Sequence, residues 1–174
     1  LYKKIKTMDF TFDVTLKNRA IFKQFLETFT LEQLNKVPNG YSNNIFWNIA
    51  HTVVTQQLLV YKFSGLPMVV SDALVEAYRK GTKTERAVSQ AEVDEIKDLL
   101  ISTIEKTEED YKNGVFKSYQ EYTVSTKSTL KSAADAIVFN NFHEGIHLGY
   151  ILALKKKHLV VNVLIHYCKR YGKL

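Results

Sequence analysis

The chain is poor in residues that break helices and in residues that cross-link folds. Two prolines and seven glycines occur among 174 residues. Few positions can therefore stop a helix or supply a left-handed turn, and the composition leans helical. A single cysteine, Cys168, excludes an intramolecular disulfide. No uninterrupted apolar run is long enough to cross a bilayer, so neither a membrane span nor a membrane partner is expected. The opening residues lack the apolar core of a secretory leader, which makes a cytoplasmic location the expectation. Acidic residues are missing from both ends. Residues 1–7 carry three lysines, residues 155–174 carry five lysines and one arginine, and neither stretch has an acid. Between them lie 15 basic and 18 acidic residues, so the formal net charge of +6 resides at the ends. A nucleic-acid-binding domain carries its basic charge on one folded face. No nucleic-acid partner is expected, and the charged ends read as solvated tails.

What is present fits one globular domain over residues 8–157, with 45% hydrophobic and 24% charged residues. Residues 1–7 read as an extension ahead of Met8, and residues 158–174 as a tail of unassigned structure. Ile21, Phe22, Phe25, Leu26 and Phe29 form a helical apolar stripe within Phe12 to Phe29. Thr30 to Gln33 is a capping-box pattern opening a short helical turn before Pro38. Ser42 is placed to cap a second long helix, which Gly65-Leu66-Pro67 stops near Ser64. A short helix is expected near Asp72 to Arg79. Ser89 to Glu92 is another capping box, opening a helix that ends at Asn113-Gly114. The stretch from Phe116 to Lys127 reads as loop or a short extended piece, and Ser128 as the cap of a last long helix from about Thr129 to Lys156. Four long amphipathic helices with a short accessory helix predict an all-α bundle.

The last helix carries the informative residues. Ala136, Asn140, His143, His147, Tyr150 and Leu154 recur at bundle-seam spacing. His143 and His147, four residues apart, point the same way one turn apart. The second helix has a matching stripe of Asn44, Trp47, His51, Val54, Leu58 and Tyr61. A pair of inward imidazoles can hold one transition metal or serve as hydrogen-bonded core residues. His51 supplies a third donor if the two helices are neighbours. Three histidines leave a coordination position for water or substrate, as catalytic zinc sites do. His143 to His147 also satisfies H-E-x-x-H, the zinc-protease pattern. No acidic ligand follows Glu144, and Tyr150 and Ala153 stand where the longer protease pattern has a glycine and a histidine. A protease is therefore not expected. Glu144 is turned about 100° from the ligand face and reads as a solvated carboxylate or one that supports a ligand from behind. Trp47 and Tyr150 either wall a pocket or pack in the core. Asn44, Asn48 and Asn140 either orient the ligands or satisfy one another. His158 and His166 read as exposed.

Asn43 to His51, together with Phe142 to Gly149, resembles the DinB-like superfamily, the DinB/YfiT-like metal enzymes. The order of elements is similar from about Asp9 to Lys156. Ala50 departs from that pattern, which often has glycine before the first ligand. The resemblance implies an up-down-down-up four-helix bundle, commonly a homodimer. It implies nickel, zinc or a similar divalent ion held by His51, His143 and His147. It also implies a thiol S-transferase that joins a low-molecular-weight thiol, such as bacillithiol or mycothiol, to a small electrophilic substrate. A hydrolase on the same site is open, as is a non-enzymatic, metal-stabilised dimer acting as a stress-response or binding module.

Overall fold

The computed structural model describes the backbone of residues 2–171 and the side chains of residues 8–157. In chain order it has α1 (Tyr2–Thr28), α2 (Leu31–Asn35), α3 (Ile45–Val60), α4 (Asp72–Tyr78), α5 (Gln90–Lys112) and α6 (Ala133–Tyr171). A 3-10 turn, Lys62–Ser64, follows α3. Two short strands, β1 (Tyr122–Thr123) and β2 (Thr129–Leu130), pair antiparallel with Tyr122 opposite Leu130 and Thr123 opposite Thr129. The class is all-α, as the scarcity of proline and glycine predicts.

Both capping boxes form. Thr30 Oγ1 accepts from the Gln33 backbone at 3.2 Å while Gln33 reaches back to the Thr30 N–H at 2.9 Å. Ser89 and Glu92 make the same reciprocal pair. Glycine is required where the chain turns out of the 3-10 helix and out of α5, because Gly65 and Gly114 have φ of 71° and 65°.

Four expectations about helix ends are corrected. The first long helix begins at Tyr2, well ahead of Phe12. The second is capped by Asn44 rather than Ser42: Asn44 Oδ1 accepts from the Trp47 N–H at 2.7 Å, and the helix starts at Ile45. The last helix starts at Ala133, capped by Ser132, whose hydroxyl accepts from the Asp135 N–H at 3.1 Å. Ser128 does not cap it. The Ser128 carbonyl instead accepts from Val124 in the hairpin turn, which draws Thr129 and Leu130 into a strand. The same helix runs past Lys156 to Tyr171, so the backbone that followed it with no assigned structure is helical. The side chains of His158 and His166 lie outside the described residues.

α3 packs against α5 and α6, and α1 packs against the same two helices, so the four long helices close a ring. Thr15 and Asn141 bond at 2.5 Å across α1 and α6. α3 is the most enclosed: Ile45, Ile49, Ala50, Val53, Val54 and Val60 are all buried, on every side of the helix. Two apolar clusters occupy the two ends of the ring. One gathers Phe22, Ile49, Val53, Ile96, Leu100, Ile151 and Leu154. The other gathers Phe12, Val60, Ile104, Ala136 and Ile137. Between them lies a belt of buried polar side chains: Thr15 and Arg19 from α1, Thr52 and Gln56 from α3, Thr103 and Thr107 from α5, and Asn140 and Glu144 from α6. Gln56 donates to Thr107 at 2.8 Å, linking α3 to α5, and Thr107 donates to the Thr103 carbonyl at 2.7 Å within α5.

Asn44→Ala removes the cap of the enclosed helix. The expected loss is about 1 kcal/mol of unfolding free energy, measured by urea denaturation. No measurable loss would mean that the first turn of α3 finds its partners elsewhere.

Candidate metal centre

α3 brings His51, and α6 brings His143 and His147, to the level of the polar belt. The ring centres of His51 and His143 are 5.2 Å apart, those of His51 and His147 4.8 Å, and those of His143 and His147 4.6 Å. One ring nitrogen from each histidine lies within 4.8 Å of the others. That is the reach of a single ion with nitrogen ligands. Among the described residues no further histidine, cysteine or carboxylate belongs to this group.

Hydrogen bonds orient two of the rings. His51 Nδ1 lies 2.6 Å from the Tyr78 carbonyl oxygen, which can only accept. Nδ1 therefore carries the proton, and Nε2 keeps its lone pair. The Thr55 hydroxyl sits 3.3 Å from Nε2. His147 Nδ1 lies 2.9 Å from Asn48 Oδ1. The amide orientation is set by its other end, because Asn48 Nδ2 donates to the Asn44 carbonyl at 2.7 Å. Oδ1 must then face His147 and accept from it, which selects the tautomer with the proton on Nδ1 and the lone pair on Nε2. His143 Nδ1 is buried without a hydrogen-bond partner among the described residues. A buried ring nitrogen left unpaired costs free energy. The donor set fits a borderline divalent ion such as zinc or nickel.

The surroundings keep the imidazoles neutral, which is the ligating form. Burial lowers the pKa of His51, against a smaller opposing effect of its bond to Tyr78. Burial, with the charges of the neighbouring histidines and Arg19, pushes His143 down to about 2. Burial and His51 push His147 down to about 4.

The supporting residues divide. Trp47 stacks on His51 with ring centres 4.7 Å apart and donates its indole N–H to Thr82 at 3.2 Å. Asn48 orients the His147 ring. Asn44 caps α3 and touches the histidines only through its carbonyl bond to Asn48. Asn140 donates to Glu144 at 2.7 Å instead of to a histidine. Tyr150 is exposed and packs edge-on against Tyr41, so it walls no histidine cavity. The solvated reading of Glu144 is corrected: its side chain is fully buried and accepts from Arg19 at 2.8 Å and Asn18 at 2.9 Å on α1. The rotation from the ligand face is as helix geometry requires. It turns Glu144 toward a neighbouring helix rather than toward water.

A cavity of about 330 Å³ opens over His51 and His143. α3 and the turn after it contribute Thr55, Leu58, Lys62 and Phe63. α6 adds Phe139, and the hairpin adds Tyr122 and Ser125. Lys80, from the loop after α4, completes the wall. Thr55, Leu58 and Lys62 continue the His51 stripe at helical spacing, which was the available sign of this wall. The hairpin and the Lys80 loop approach through tertiary contacts that local spacing does not encode. A larger hollow of about 740 Å³ lies beside Trp47 and Arg86, but no histidine lines it.

The model of the DinB superfamily matches residues 15–151, most of the chain and all three histidines. Among curated proteins, none matches.

Two outcomes follow from this environment. Imidazoles with folded pKa values below 6.5 bind fewer protons in the native than in the unfolded state. Their contribution to stability is complete above the unfolded value and is lost as the pH falls toward about 4. The urea midpoint of metal-free protein should thus drop from pH 7.5 to pH 5. A flat profile would show that the rings are not buried as neutral species. Arg19→Ala should cost about 3–5 kcal/mol, because it strands a buried carboxylate, whereas Arg19→Met with Glu144→Met should regain most of the loss. A cost below about 1 kcal/mol for the single change would mean that water reaches Glu144.

Proposed function

The chain belongs to the DinB superfamily, and from that membership and the histidine cluster we propose that it is a metal-dependent enzyme, most concretely a thiol S-transferase acting on small electrophiles. The observation that carries the reading is the convergence of His51, His143 and His147 without a fourth protein donor among the described residues. Three ligands leave coordination open to a small molecule, whereas a purely structural site is closed by four. The three histidines would hold one divalent ion, nickel or zinc. When bound, that ion lowers the pKa of a thiol or water beside it, making a nucleophile available at neutral pH.

The chain's own residues do the rest. The Tyr78 carbonyl and Asn48 hold Nδ1–H of His51 and His147, which keeps both Nε2 lone pairs for the ion. Trp47 covers one face of His51 and limits rotation of that ring. Leu58, Phe63 and Phe139 line the approach with apolar surface, which holds water away from a nucleophile. A thiol such as bacillithiol would enter as co-substrate through that cavity. Hydrolysis by water at the same centre is the alternative chemistry.

The up-down-down-up sense of the bundle belongs to this reading. The early residues of α1 and α6 fall in one apolar cluster and their later residues in the other, and α3 and α5 run the opposite way. So does a homodimer: Phe10, Val14 and Ile21 on α1, with Val138, Phe142 and Ile146 on the adjoining α6, are exposed.

His51→Ala should reduce purified metal content from near stoichiometric to trace, measured by elemental analysis, with the helical circular dichroism unchanged. Asn48→Leu should weaken metal affinity about 10–100-fold. Full metal content in the His51→Ala protein would refute the shared site. Conjugation of a low-molecular-weight thiol to a model electrophile, assayed beside ester hydrolysis, separates transferase from hydrolase.

A further inference from the structure

The cavity over the histidines is lined by two kinds of polar group. One is the pair of His51 and His143 rings. The other is Lys62 and Lys80, both exposed. Residues His51, Thr55, Leu58 and Lys62 lie along one face of α3 and the turn that follows it. Lys62 lies eleven residues beyond His51, roughly 16 Å along the axis at helical rise, while the Lys80 loop follows Tyr78, whose carbonyl meets His51. The walls between are apolar: Leu58, Leu59, Phe63, Tyr122, Val124 and Phe139. No acidic residue lines the cavity. Among the described residues, neither lysine is ion-paired with a carboxylate, although seven other cations are. Lys80 donates to the Ser125 hydroxyl at 3.0 Å, which holds its ammonium beside the hairpin turn.

Two exposed lysines lining one cavity, with no carboxylate in its wall, favour an anion. An apolar middle section favours a ligand with a hydrocarbon body. We propose that this cavity selects a small amphipathic organic anion, its anionic group held by Lys62 and Lys80 and its other end reaching the histidines. The selectivity comes from the two lysines. Only the identity of what meets the histidines rests on the metal-centre reading.

The test uses ω-mercapto carboxylic acids of graded chain length against mercapto alcohols of equal length. Each is titrated into nickel-loaded protein, and the sulfur-to-nickel charge-transfer band reports binding. At the chain length that spans the cavity, the acid should bind about tenfold more tightly than the alcohol, the scale of two partly exposed charge contacts. High salt should erode that preference. Lys62→Met with Lys80→Met should abolish it while leaving the alcohol's affinity unchanged. Lys62→Arg with Lys80→Arg should retain it. Equal affinities for acid and alcohol at every length would overturn the proposal and leave the metal centre standing. Absence of a band with any thiol would sink the metal centre instead. Octanoate against octanol, titrated calorimetrically into metal-free protein and the same lysine variants, then decides the anion site alone. Lysine-dependent preference for octanoate upholds it, and no preference overturns it.

Discussion

A carbonyl oxygen can accept a hydrogen bond but never donate one, and the geometry of the histidine cluster depends on that asymmetry. The Tyr78 carbonyl accepts from His51 and so fixes the ring proton on Nδ1. The Asn44 carbonyl takes the amide hydrogens of Asn48, so that Asn48 turns its oxygen to Nδ1 of His147. In both cases a main-chain acceptor, directly or through one amide, leaves the lone pair on Nε2. Tautomers in solution interchange readily. Here each is held by a group that cannot reverse its role. The end of α4 and the first turn of α3 therefore set the state of the centre, although neither supplies a ligand.

Polar side chains in the middle of a helical bundle are costly unless they are paired. The belt between the two apolar clusters meets that condition largely within itself. Gln56 on α3 donates to Thr107 on α5, Thr107 donates to the Thr103 carbonyl, and the Thr103 hydroxyl donates to the Leu99 carbonyl. Arg19, Asn18 and Asn140 converge on Glu144, tying α1 to α6. Arg19 also donates to the Thr52 carbonyl at 3.1 Å, so the same guanidinium reaches α3. Glu144 directly follows His143, and its attachment to α1 constrains the turn of α6 that presents both histidines. The apolar clusters hold the two ends of the ring, while the belt ties α1 to α6 and α3, and α3 to α5, through hydrogen bonds.

Much of this was legible from residue spacing. The two capping boxes, the helix over Gln90–Lys112, the short helix over Asp72–Tyr78 and the all-α class follow from local rules, since capping and 3.6-residue periodicity act within a few residues. The pairing of His143 with His147 on one face is likewise local. Where two local signals competed, the reading went astray. Ser42 and Asn44 both suit an N-cap, and Asn44 is the one whose side chain meets the Trp47 N–H. Ser128 and Ser132 both suit the cap of α6, and the Thr123–Thr129 pairing assigns Ser128 to the hairpin.

From the order of its residues alone, the chain determined that it would be helical, that three histidines would occupy inward faces of two helices, and that Glu144 would point away from them. Those outcomes depend on backbone periodicity, which needs no distant partner. Only the tertiary structure decided that α3 and α6 are neighbours, so that the three rings meet. It also decided that Glu144 finds Arg19 rather than water, and that Lys80 and the Tyr122 hairpin close over the same cavity as His51. Each of these joins residues far apart along the chain. Such contacts are selected by how whole helix faces fit together, a choice no short stretch of sequence contains.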